Sequence, residues 1–281
     1  MTRKGKRVAV SQILMTVILL GIALIALFPL YAIILASLKP GSELMRYGLN
    51  VRLDWDMMSI NNYLNLFDKQ SRYVSWFKNS VGLTLIQMVL TLAITSFVGY
   101  GFAMYEFKGK NFLFILVLII MMIPFEIILL PLYQMMVDFR LIDTYGGVIL
   151  PSLAAPVAIF FFRQYLSGIS RAFLDAGRVD GCTEYGIYLK IIFPIMIPAF
   201  GAMAILQGLN SWNAFLWPLI VLRTDDKFTL PIGLSSLISP YGNNYDILIA
   251  GSVVSIIPIL ILFLLFQKSF INGITAGGVK G

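Results

Sequence analysis

The side chains that most often carry chemistry are scarce here. There is no histidine among the 281 residues and one cysteine, Cys182. Imidazole acid–base catalysis and the commonest metal ligand are therefore missing, and neither an internal disulfide nor a cysteine metal cluster can form. No phosphate-binding G-x-x-x-x-G-K-[ST] run occurs, and Gly109-Lys110 is followed by Asn111. The chain has no means of its own to bind and split a nucleoside triphosphate.

What remains is binding chemistry in apolar surroundings. Gln207, Asn210, Trp212 and Asn213 lie within one apolar stretch, and the aromatic run Ser211-Trp-Asn-Ala-Phe-Leu-Trp217-Pro-Leu219 follows directly. An indole face stacks on a hydroxylated ring, and amides bond its hydroxyls. Amides are costly in lipid, so these are expected to face protein or a cavity. Trp217, beside the following loop, reads as an anchor at the membrane interface. Glu126 is the one acid inside an apolar run, between Pro124 and Pro131. An intramembrane carboxylate is a functional candidate by default: it lines a pathway or marks proton coupling. The plainer reading, and the one favoured, is that it bonds carbonyls freed by Pro131 or sits near the outer surface.

The third constellation is polar. Residues 171–198 read Arg171-Ala-Phe-Leu-Asp175-Ala176-Gly177-Arg-Val-Asp180-Gly181-Cys182-Thr-Glu184, then Tyr-Gly-Ile-Tyr-Leu-Lys190-Ile-Ile-Phe-Pro194-Ile-Met-Ile-Pro198. Phe173, Leu174, Ala176 and Val179 can share one helical face, and Tyr185, Tyr188 and Leu189 recur at helical spacing beyond Gly181. Two short helices should meet at Gly181, where glycine allows a positive φ. Such a segment is either an amphipathic knob for a groove on a partner or a solvated loop.

The elements that must position these groups are membrane spans. Of the residues 59% are hydrophobic and 12% charged, about half the usual charged share of soluble domains, and the mean hydropathy is +0.86. A bilayer core of about 30 Å needs around 20 apolar helical residues. Six runs qualify: roughly 12–37, 79–105, 112–134, 145–166, 190–221 and 247–268. The first follows Arg3, Lys4, Lys6 and Arg7 but is too long for a signal peptide and lacks a convincing cleavage site, so it is read as a retained helix. With both termini inside, inner segments hold twelve basic and four acidic residues and outer segments nine of each, the asymmetry of cytoplasmic loops. Both termini are therefore expected in the cytoplasm. The net charge of +7 forms no basic stripe of the nucleic-acid-binding kind, and no nucleic-acid partner is expected. The long outer loop 38–78 carries Trp55, Tyr63, Phe67, Tyr73 and Trp76, enough for a short packed segment along the interface. No fixed-period repeat or low-complexity tract appears, and residues 1–281 are read as a single transmembrane domain.

The loop at 171–190 resembles the cytoplasmic loop of ABC importer permeases, whose pattern is E-A-A, two residues, then D-G-A. Asp175 stands at the glutamate, Ala176 and Gly177 at the alanines, and Asp180 and Gly181 match, while Cys182 replaces the last alanine. Pro194 and Pro198 fall where the family places prolines. The ending Phe270-Ile-Asn-Gly-Ile-Thr-Ala-Gly-Gly-Val-Lys-Gly281 is similar to the tail of carbohydrate-type permeases related to the maltose importer's smaller permease subunit, as are Asn79-Ser80 and the 211–219 run. Within that family, Asp180-Gly-Cys-Thr-Glu184 and Ser239-Pro-Tyr-Gly-Asn-Asn-Tyr-Asp246 look most like arabino-oligosaccharide permease subunits.

The resemblance implies an all-α membrane protein with the type I ABC importer permease fold, six transmembrane helices and a coupling-helix loop. It implies a complex with a second related permease, two ATPase subunits and an extracytoplasmic solute-binding protein, importing a sugar or oligosaccharide through the cell membrane. ATP and Mg²⁺ would be bound by the partner ATPases, with no cofactor in this chain. Asp175, Ala176, Gly177, Asp180, Gly181, Cys182 and Glu184 would form the ATPase-coupling loop, and Gln207, Asn210, Trp212, Asn213 and Glu126 the candidate substrate pathway. Two rivals differ in class. A permease for a non-sugar solute would lack the tail and the 211–219 aromatics. A secondary sugar carrier would show more spans, inverted repeats and paired intramembrane charges.

Overall fold

The computed structural model describes the backbone at residues 3–48, 51–68, 71–239 and 242–278, and side chains at 12–48, 51–68, 71–238 and 244–268. Side chains of the 270–281 tail lie outside the described residues, as do those of 239–243 within the Ser239–Asp246 motif. The helices are α1 (Arg3–Ser37), α2 (Gly41–Tyr47), α3 (Asn61–Leu66), α4 (Tyr73–Met104), α5 (Lys110–Met122), α6 (Phe125–Asp138), α7 (Tyr145–Ile149) and α8 (Pro156–Leu166). They continue with α9 (Ala172–Val179), α10 (Glu184–Ile187), α11 (Phe193–Ile195), α12 (Ile197–Trp212), α13 (Leu216–Val221), α14 (Leu230–Ser236) and α15 (Tyr245–Gly278). Ile238–Ser239 and Gly242–Asn243 form a two-residue antiparallel pair, with Ile238 opposite Asn243. The fold is otherwise helical, as expected.

Among the described residues three helices are long and apolar enough to cross a membrane unbroken: Gln12–Ser37, Tyr73–Met104 and Tyr245–Lys268. The other three expected spans are bent pairs. Lys110–Met122 and Phe125–Asp138 meet at 104°, Tyr145–Ser152 and Pro156–Leu166 at 40°, and Glu184–Ile195 and Ile197–Trp212 at 77°. Proline explains the sites of bending, because it has no N–H for the helix ladder and clashes with the preceding turn. Pro124 precedes α6, Pro156 opens α8, and Pro194 and Pro198 flank the third bend. The 190–221 run is thus not one helix. It begins with a π-helical turn at Tyr188–Ile192, stops at Trp212, and restarts as the short α13.

The chain divides into two compact units, Met1–Ser71 with Ser236–Val254, and Arg72–Ser235 with Ser255–Gly281. In the first, α1 presents a long exposed apolar surface from Ile13 to Phe28, and among the described residues it buries Ala32, Leu35, Ala36 and Ser37 near its end. There the Asn62 amide donates to the Ser37 and Lys39 carbonyls at 2.9 and 2.8 Å, satisfying the acceptors a helix end leaves open. In the second unit α4 packs along α8 and α12. Gly99 makes the α4–α8 approach possible, since a Cβ there would lie 2.7 Å from Phe162 Cβ and 2.9 Å from Arg163 N. One core gathers Phe162, Leu166, Leu174, Ile187, Ile192, Met196 and Met203. A second gathers Leu83, Val148, Trp217, Val221 and Leu222.

Candidate functional site

The 171–190 loop is two short helices, as its pattern predicts, but the inward face differs. Leu174 and Gly177 are buried, while Phe173 is 47% and Val179 87% exposed. The reason is local packing of α9 on the start of the broken span. A Cβ on Gly177 would stand 2.8 Å from Ile191 Cδ1 and 2.9 Å from Ile187 Cγ1, so glycine lets the two helices touch. The larger apolar residues are turned out, and Tyr185 and Leu189 join them at 72% and 60% exposure. An outward apolar knob on a buried root is what a partner's groove requires.

The expected left-handed glycine is present. Gly181 has φ +77°. The Cys182 N–H donates to the Gly177 carbonyl at 2.9 Å and the Gly181 N–H to that of Arg178 at 3.1 Å, the paired bonds of a Schellman cap. Asp180 is the last residue before the turn, and Thr183 restarts the chain by accepting from the Gly186 N–H at 3.1 Å. Nothing lies within 4 Å of a Cβ built on Gly181, so the glycine is demanded by conformation and not by space.

A polar clasp, not legible in the sequence, ties this loop to the end of α4. Glu184 accepts from Arg178 Nε at 2.8 Å and from the Tyr105 hydroxyl, which lies 3.1 Å from that of Tyr100. Asp175 is exposed, 3.5 Å from Arg178. Ala176 and Asp180 are exposed, and Cys182 is half-buried against the core. Arg171, just before α9, bonds Glu106, which also accepts from Lys110 at 3.2 Å. Arg171 and Lys110 hold the Glu106 carboxyl below the usual range.

The other candidate group does not assemble as expected. Trp212 is buried, edge-on to Phe77 at 5.8 Å, and the Asn213 amide bonds its own helix at the Leu209 carbonyl. Gln207 is half-buried and Asn210 exposed, leaving those two as available amides. Glu126 is exposed in the first turn of α6, straight after the 104° bend, where a helix dipole favours a carboxylate. No hydrogen bond or ion pair joins it to α12 among the described residues. Trp217 is no interface anchor: it is buried, its Nε1 donating to the Gly147 carbonyl at 3.1 Å, because α13 turns back into the second core.

A second polar knot lies at the opposite end of α4. Asp143, at φ 58°, accepts from the backbone of Arg223 and Thr224 at 3.0 and 3.1 Å, from Thr224 Oγ1 at 2.6 Å and from Lys227 Nζ at 2.8 Å. Lys227 first, then Thr224, depresses its carboxyl far below the ordinary range. Asn79 donates to the Asp226 and Phe228 carbonyls and accepts from Tyr145, while Ser80 accepts from the Leu230 N–H. The Asn79-Ser80 pair therefore has a structural role in this knot. The only sequence signal for Asp143 is the run Asp143-Thr-Tyr-Gly-Gly between two apolar stretches.

Among the described residues no three His, Cys, Asp or Glu are grouped to hold a metal. Residues 93–275 match the family described as binding-protein-dependent transport system inner membrane component. The chain belongs to this family. The permease is 57% identical, over 100% of both chains, to the arabinooligosaccharides transport system permease protein AraQ of Bacillus subtilis (strain 168). It is 55% identical to the protein of that name from Halalkalibacterium halodurans, over 99% of this chain and 100% of the relative. A solved bacterial ABC transporter involved in import of the acidic polysaccharide alginate has a chain of the same fold, with a TM-score of 0.79 at 22% identity, covering 96% of this permease and 99% of that chain. The resemblance read from the loop is borne out at the level of family and fold.

Proposed function

We propose that this permease is one of two membrane subunits of an ATP-driven importer for arabinose-containing oligosaccharides. The observation that carries the reading is the end-to-end match to two arabinooligosaccharide permeases at 57% and 55% identity. The chain acts as one transmembrane domain in the cell membrane with both termini in the cytoplasm, the orientation favoured by its charge asymmetry. A solute-binding protein delivers the sugar, a second permease completes the pathway, and two ATPase subunits bind ATP and Mg²⁺. The outward residues Phe173, Val179 and Tyr185 seat in a cleft of one ATPase, so that ATPase closure moves α9 and switches the permeases as rigid bodies. Gln207, Asn210 and Glu126 are the groups left to meet the sugar.

The test is co-purification in mild detergent followed by uptake in proteoliposomes. A second permease and an ATPase should accompany the chain, and arabino-oligosaccharide uptake should require ATP and the binding protein. Recovery of the chain alone, transporting without ATP, would revive the secondary carrier. Within the working complex, Gly181→Val should lower uptake at least about tenfold with membrane insertion unchanged, because a β-branched residue at positive φ costs about 1–2 kcal/mol and unwinds the cap. Full uptake by that variant would remove the loop from the coupling role.

A further inference from the structure

A cavity of about 290 Å³ opens between the start of α5, the end of α8 and the segment leading into α9. Its lining joins the apolar Phe102, Met104 and Leu166 to Lys110, Arg163 and Arg171. Three cations thus line one small space. Among the described residues Glu106 is the single acid bonded to any of them, through Lys110 and Arg171, and it does not line the cavity. Arg163 has no acid partner among the described residues. Its guanidinium lies over the Phe114 ring, 4.5 Å from the centroid, and its NH1 donates to the neighbouring Gln164 at 3.3 Å. Stacking of this kind orients a guanidinium while leaving its in-plane donors free.

The surroundings decide what fits. From the cavity, α5 runs on with no buried residue. Leu113, Leu116 and Ile120, which follow Lys110 at three, six and ten residues, are 45%, 37% and 51% exposed, and that spacing carries an apolar stripe along the helix from Lys110. A basic pocket at the end of a membrane span, continuous with an apolar stripe along that span, matches a molecule with a phosphate head and acyl chains. A cavity near the lower limit of about 300 Å³ for ligand pockets suits a headgroup and not a larger solute.

We propose that this cavity binds the phosphate of an anionic phospholipid, with Arg163 as its principal ligand, Lys110 and Arg171 beside it, and an acyl chain along α5. Arg171 directly precedes α9, so the bound lipid would hold the entry to the 171–190 loop. The inference does not depend on the transported solute and requires only that the chain sits in a bilayer.

The test is to purify the permease with its accompanying subunits from vesicles of mixed phosphatidylglycerol and phosphatidylcholine, and to measure retained lipid by native mass spectrometry. Wild-type protein should retain phosphatidylglycerol in preference. Arg163→Gln should lower retention about fivefold, the factor one interfacial cation contributes. Arg163→Lys should restore part of it, and Lys78→Gln, which removes a charge at the other end of α4, should change nothing. Equal retention by wild type and Arg163→Gln, or equal losses from Arg163→Gln and Lys78→Gln, would overturn the site. If Arg163→Gln is not recovered folded, Lys110→Gln gives the same reading. Millimolar glycerol 3-phosphate separates the two sources of phosphate: retained phospholipid supports the lipid, and its displacement would mean a soluble organophosphate is the ligand and overturn the lipid assignment.

Discussion

The two ends of α4 are held by polar knots of opposite design. At the Asp143 end, one carboxylate collects two backbone N–H groups, a hydroxyl and an ammonium, and Trp76 and Asn79 fasten the same 225–228 turn. At the loop end, exposed Arg178 and Glu184 and the half-buried Tyr105 bond through side-chain tips, and the backbone of α9 is fixed to its neighbours by little more than Leu174 and Gly177. Backbone donors cannot leave without unwinding a turn, whereas side-chain tips can exchange partners with water at small cost. The first design fixes a turn, and the second leaves a short helix lightly tethered.

The contrast breaks if the Asp143 knot proves easy to lose. Asp143→Ala should cost about 2 kcal/mol, the range for hydrogen bonds to a charged group. It should appear as a lower unfolding temperature in detergent, with uptake per folded molecule unchanged. A variant as stable as wild type would mean that the 222–229 turn is held by other contacts and that the two ends do not differ.

The loop end should answer in the other currency. Tyr105→Phe removes the hydroxyl that donates to Glu184 and should cost under about 1 kcal/mol of stability. The reading that α9 transmits motion expects more ATP hydrolysed per solute moved, by a few fold, because the link between loop and α4 is loosened. An unchanged ratio of ATP to solute would show that the clasp is only a surface decoration.

The difference between the ends also explains what was legible in the sequence. Apolar runs of twenty or more residues declare spans, and Gly181 between two amphipathic segments declares a turn, because both depend on neighbours in the chain. Proline fixes where the helices are interrupted at Pro124, Pro156 and Pro198, but packing and not proline sets the angle. The Glu184–Tyr105 bond joins residues 79 apart, and Asp143 meets its Thr224 partner 81 residues away. No periodicity reports such pairs. Trp212 and Trp217 misled for a related reason: an aromatic at a helix end serves an interface, a sugar or a core equally well, and only the turn at Asn213–Phe215 places both inside.

Acid offers the gentlest way to separate the knots. The Asp143 carboxyl is depressed by Lys227 and Thr224, so its folded pKa lies below the unfolded value of about 3.9. A depressed carboxyl contributes stability that is fully present above the unfolded pKa and lost as pH falls through the folded one. Glu106 shifts in the same direction but is fully exposed and paired only through side chains, so its contribution is screened by solvent. Between about pH 5 and pH 3, the wild-type unfolding temperature should therefore fall more steeply than that of Asp143→Ala, while Glu106→Gln should keep nearly the wild-type slope. Matching slopes for wild type and Asp143→Ala would mean that the carboxylate is not what holds the turn, and the backbone would then have to be credited with the whole difference between the two ends of α4.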